Sequence, residues 1–88
     1  MSVLMVSSKT NPDKLAKAII ANVSKFKVAE VQAIGEAATY RAIKAIAIAR
    51  KFFNRRKDDL ICTPAFAKVK VNEEKNEFLA MNFIIGKA

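Results

Sequence analysis

The chain has 88 residues, 52% of them hydrophobic, and its 16 lysines and arginines outnumber 8 acidic residues to leave a net charge of +8. That length predicts a single domain over residues 1–88, and so high an apolar fraction leaves more apolar surface than one small core hides, which predicts a homodimer or higher homo-oligomer. With no histidine and one cysteine, Cys62, the chain can form neither an intramolecular disulfide nor a cysteine–histidine zinc cage, and it lacks the usual proton shuttle of an enzyme.

Val3 to Val6 is a short apolar run that predicts a buried strand. Ser7 to Thr10 is a polar loop, and Asn11-Pro12 with Asp13 is a strong helix start: a capping amide, a proline in the first turn and an acid near the positive helix end. The first helix runs to about Lys25 and buries Leu15, Ile19, Val23 and Phe26, with Asn22 on the same face; Lys14, Lys17 and Lys25 lie on the wet face. Val28 to Ile34 reads as the second strand. Gly35 ends it where the backbone turns sharply through a positive φ into the next helix.

The second helix spans about Glu36 to Asn54. Ala38, Ala42, Ala45 and Ala49 form a narrow small-residue stripe, widened by Ile46 and Phe53, that lets the helix lie close to its neighbours. Arg41, Lys44, Lys51 and Arg55 fall on the arc opposite, with Ile48 among them. A charged turn, NRRKDD, precedes a third strand that starts at Leu60, where Pro64, lacking a backbone donor, marks an edge position or a bulge. Residues 68–71 alternate as a half-exposed strand should, and NEEKN, residues 72–76, reads as a hairpin loop. The last strand, Glu77 to Ile85, directs Leu79, Met81, Phe83 and Ile85 one way and Phe78, Ala80, Asn82 and Ile84 the other, so both of its faces need cover. The β-α-β-α-β-β order predicts an α+β two-layer sandwich: a four-stranded mixed sheet with two helices on one face.

Three segments together, VSSKTNP in the first loop, VQAIGEAATYRAIKAIAIAR through the second helix and DLICTPAF in the third strand, resemble the stage V sporulation protein S family. That family is related in fold to Alba, a small dimeric nucleic-acid-binding protein. The resemblance implies an Alba-like sandwich, a dimer, binding to DNA or RNA, and a regulatory part in sporulation or a related developmental programme. It places Lys9 in the loop whose basic residues touch the phosphate backbone, Gly35 at the glycine that opens the second helix, and Arg41 and Lys44 at polar or basic positions early in that helix. The chain departs from Alba at the hairpin: Alba reaches into the minor groove with a long basic arm, whereas NEEKN is short and more acidic than basic.

The residues themselves point the same way. A strongly basic balance favours polyanions. Lys9, Arg41, Lys44, Lys51 and Arg55 are the candidate nucleic-acid-binding residues, and Gly35 is the candidate structural turn. No catalytic, metal-binding or cofactor-binding set emerges. Cys62 sits in an apolar strand, Ser7 and Ser8 have no neighbouring base, Asp58-Asp59 is a pair that could hold a metal but in NRRKDD reads better as offsetting the preceding cations, and the two glycines form no phosphate loop. The chain therefore reads as a non-enzyme without a small-molecule substrate. Tyr40 either stacks on a base or packs against a sister subunit, with packing favoured, and the six phenylalanines read mainly as core. The amino-terminal MSVLMVSSK lacks the features of a signal peptide and no apolar run is long enough to span a bilayer, so the expectation is a cytoplasmic protein without a membrane partner. The alternative function is a protein-interaction module whose basic face docks an acidic protein partner.

Overall fold

The computed structural model describes residues 2–70 and 77–88, the side chains of residues 70, 77 and 78 excepted. The NEEKN loop expected at 72–76 lies outside the described residues. The elements run β1 (Val3–Val6), α1 (Pro12–Phe26), β2 (Val28–Ile34), α2 (Glu36–Asn54), β3 (Leu60–Lys70) and β4 (Glu77–Lys87).

Asn11 fixes where α1 begins. Its Oδ1 accepts from the backbone N–H groups of Asp13 (2.8 Å) and Lys14 (3.3 Å), two donors that have no partner inside the helix. The helix closes at Lys27, which takes the left-handed conformation (φ 72°) and returns its N–H to the Val23 carbonyl. Gly35 leads into α2 with φ 90° and ψ 162°, a region in effect reserved for glycine, and its carbonyl accepts from both the backbone N–H and the Oγ1 of Thr39.

The strands form one mixed sheet in the order β1-β2-β4-β3. β1 runs parallel to β2, while β4 is antiparallel to both β2 and β3. β1 and β3 are thus the edges, and Pro64 sits on an edge strand, where its missing N–H breaks no central ladder. Both helices pack on one face. There Ala29, Val31 and Ala33 of β2 and Phe83 and Ile85 of β4 meet Leu15, Ile19 and Val23 of α1 and the alanine stripe of α2. The small side chains on β2 and α2 are fully buried, which is what a close helix–sheet approach requires.

Three expectations change. Phe26, read as core, is 43% exposed at the last position of α1, with the Lys25 ammonium 5.2 Å from its ring centre. β1 is only half a buried strand: as an edge it exposes Val3 and Met5 and buries Val6. The face of the sheet away from the helices is not uniformly apolar either. Its centre is a Gln32–Asn82 hydrogen bond (2.9 Å) between β2 and β4.

The charged turn after α2 is a tied corner. Arg50 grips Asp59 in a two-pronged contact, Nε to Oδ1 at 2.7 Å and Nη2 to Oδ2 at 3.2 Å. Asn54 donates to the Asp58 carbonyl and to the Asp59 carboxylate, which also accepts from the Leu60 N–H at 2.8 Å. Lys87 at the end of β4 pairs with Asp58 at 3.2 Å. The two aspartates do balance cations, but the partners are Arg50 and Lys87 rather than the arginines and lysine of the turn itself.

Candidate nucleic-acid interface

The loop that carries Lys9 is held by its own hydroxyls. The Ser7 N–H donates to Thr10 Oγ1 (2.9 Å), the Thr10 N–H to the Ser7 carbonyl (3.2 Å), and the Lys9 N–H to Ser7 Oγ (3.1 Å). These contacts make a tight polar turn with Lys9 exposed on it. Arg41 then joins that turn to α2: its Nη1 donates to the Thr10 carbonyl at 3.1 Å. Arg41 is half-buried and spends one of its five N–H groups on this bond, which leaves the others for an anion. Lys44 follows one helical turn later and is exposed. Arg41 thus brings the Lys9 turn against α2, and Lys44 stands three residues farther along the same helix, near its middle.

Lys51 and Arg55 do not join that group. They lie two or more turns farther along α2, Arg55 being about 21 Å from Arg41 at 1.5 Å per residue, beyond the ~8 Å screening length of physiological salt. Their arc of α2 also does not face straight out to solvent, as helical projection alone suggests. It turns toward α1, where Ile48, Lys51 and Arg55 share a groove with Lys17 and Ile20. Ile48 is half-buried against the core rather than stranded among charges.

On the other flank of α2 is a mainly apolar cleft of about 620 Å³, lined by Tyr40, Ile43, Phe66, Leu79 and Met81 together with Gly35, Thr39 and one acid, Glu36. Phe66 is 74% exposed, Tyr40 66%, Leu79 61% and Ile43 51%. Phe66 was expected in the core and Leu79 on a covered strand face. Both point to the helix side of the sheet, but they sit on the β3–β4 ladder beyond the reach of the helices. The strand pattern states which face a side chain is on; it does not state where the helices stop covering that face.

Cys62 is half-buried, and burial pushes its thiol up from the ordinary value, away from a reactive thiolate. No helix among the described residues is long and apolar enough to cross a membrane.

A family model described as "Stage V sporulation protein S (SpoVS)" matches residues 2–88. Among solved structures, Alba from Thermoplasma volcanium superposes with a TM-score of 0.66 at 11% sequence identity, over 97% of this chain and 99% of that one. At that identity the likeness speaks for the fold.

Proposed function

The chain belongs to the stage V sporulation protein S family and has an Alba-like fold, and from that premise we propose that it is a small, dimeric, non-enzymatic nucleic-acid-binding regulator of the cytoplasm, acting in sporulation or a related developmental programme. The observation that supports this reading is the Arg41–Thr10 hydrogen bond, which docks the Lys9 turn against α2 three residues before the exposed Lys44. Three cations arranged before an anion arrives suit the phosphate backbone and offer little for reading base edges, so binding is weakly sequence-specific. The dimer forms through the apolar cleft: Tyr40, Ile43, Phe66 and Leu79 make a self-complementary patch, and a two-fold interface places the phosphate-binding cluster twice on one particle.

The test is a salt titration of binding to generic duplex DNA and single-stranded RNA by fluorescence anisotropy. Three phosphate contacts per protomer give a slope of log affinity against log salt of about −2.7 per protomer on duplex DNA. Lys9→Ala with Lys44→Ala flattens it by about 1.8 per protomer without unfolding the protein, since both side chains are exposed and neither makes an ion pair among the described residues. Absence of binding to either polymer at low salt rejects the reading.

A further inference from the structure

The helix pair carries a second concavity, between α1 and α2. Ala16, Ile20 and Ala21 of α1 and Ile48 and Phe52 of α2 form the floor of an open trough of about 530 Å³; Lys17, Lys51 and Arg55 stand at its rim, with Asp13 the one acid. Because β1 and β2 are parallel, α1 and α2 start at the same end of the sheet. The trough joins the first half of α1 to the carboxyl end of α2, and on each helix its lining residues recur at i, i+3, i+4 and i+7 over about two turns, roughly 11–12 Å. The three rim cations are exposed, and none makes an ion pair among the described residues.

We propose that this trough docks an acidic amphipathic helix of a partner protein, whose apolar ridge enters between α1 and α2 and whose flanking carboxylates pair with Lys17, Lys51 and Arg55. Two parallel ridges with an apolar floor match the i, i+3, i+4, i+7 anchors of a helix laid in a groove. The rim's net positive charge on a chain of +8 selects an acidic occupant and disfavours a second copy of the same chain. Nucleic acid fits less well. The floor gives phosphate no partner, and the one aromatic ring in the lining, Phe52, already has the Arg56 guanidinium over one face at 4.6 Å. The proposal does not rest on nucleic-acid binding by the Lys9 cluster.

The probe is a fluorescein-labelled synthetic helix of about four turns, with leucines at i, i+3, i+4 and i+7 and glutamates flanking them. A scrambled peptide of equal composition, a lysine-flanked version and dodecanoate serve as comparators. A two-turn contact is small, so the expected dissociation constant is on the order of tens of micromolar at low salt. Amide shift changes should be confined to the lining residues. Ala21→Glu, at an exposed floor position, weakens the glutamate peptide at least tenfold. Lys17→Glu with Lys51→Glu loses the glutamate peptide and gains the lysine-flanked one, a reversal that an unfolded variant would not produce. Failure of the glutamate peptide to saturate by about 1 mM overturns the proposal. So does equal binding of the scrambled peptide, indifference to Ala21→Glu, or preference for dodecanoate, which would assign the trough to an anionic amphiphile. If the peptide fails while Lys17→Glu with Lys51→Glu flattens the DNA salt slope, the trough belongs to the nucleic-acid face instead.

Discussion

One flank of α2 carries Tyr40, Ile43, Arg50 and Asn54 at helical spacing, and its two ends are finished in opposite ways. At the carboxyl end Arg50 and Asn54 close onto Asp59, Asp58 is held by Lys87, and the aliphatic and aromatic atoms beneath are covered, with the Lys87 ammonium 5.5 Å from the Phe53 ring. At the amino end Tyr40 and Ile43 face Phe66 and Leu79 across a cleft that the chain leaves open. On this flank the first end is closed within one protomer, since Arg50 pairs with Asp59 and Lys87 with Asp58. The second exposes large apolar side chains side by side, which is the usual mark of a surface that another molecule covers. The corner that ends α2 is therefore closed by the chain's own groups, and the region that begins it is the dimer interface proposed above.

The largest effect should come from breaking the open end. Phe66→Glu with Leu79→Glu places two carboxylates in the proposed interface and should weaken self-association at least 100-fold, about 3 kcal/mol, the range of a buried apolar hot spot. The variant should remain folded by circular dichroism, because both side chains are exposed in the single chain. Sedimentation equilibrium measures the change, and a wild-type protein that sediments as a 9.7 kDa monomer at tens of micromolar (about the range for a modest interface) removes the reading of this end as an interface.

A smaller loss is expected at the residue that starts the open end. Gly35→Val forces a β-branched side chain into a positive φ and should lower folding stability by about 1–3 kcal/mol in thermal or denaturant melts. Gly35→Ala should cost nearly as much, since a Cβ at Gly35 meets no atom within 4 Å and the penalty lies in the backbone rather than in space. An alanine variant with unchanged stability would show that the turn tolerates an ordinary residue.

The smallest effect belongs to the closed end. The Arg50 side-chain hydrogen bond, then those from Asn54 and the Leu60 N–H, hold the Asp59 carboxyl well below its usual range. A carboxylate with a depressed folded-state pKa contributes stability above its unfolded value, 3.8, and loses it as pH falls toward the folded value. The pair is solvent-exposed, so the contribution is modest and screened by salt. Asp59→Asn should melt slightly below wild type at about pH 6 and converge with it as the pH is lowered through about 3. Parallel pH profiles for the two proteins would show that the corner does not depend on the carboxylate charge.

Much of this architecture was legible in the chain itself. The Asn11-Pro12 start, the alanine stripe of α2, Gly35 and the alternation in the strands each encode local geometry, because caps, positive φ and helical or strand period depend on a residue and its near neighbours. Helix α2 runs from Glu36 to Asn54, as its periodicity indicates. The sites were less legible. Arg41 and Lys51 share an arc of one helix, yet Arg41 fastens a loop 31 residues away while Lys51 lines a groove against α1. Phe66 and Phe83 are both phenylalanines on the helix-facing side of neighbouring strands, yet only Phe83 lies under a helix.

Residue types and spacing thus determined where each element starts, which of its faces is apolar, and that the chain as a whole carries excess positive charge. Tertiary structure decided which cations share a site, which apolar residues lack cover, and that the two flanks of α2 meet different neighbours. The reason is physical: propensity, capping and periodicity are set within one or two turns of chain, whereas cover and charge proximity depend on where α1 crosses α2 and how far β3 and β4 extend past both.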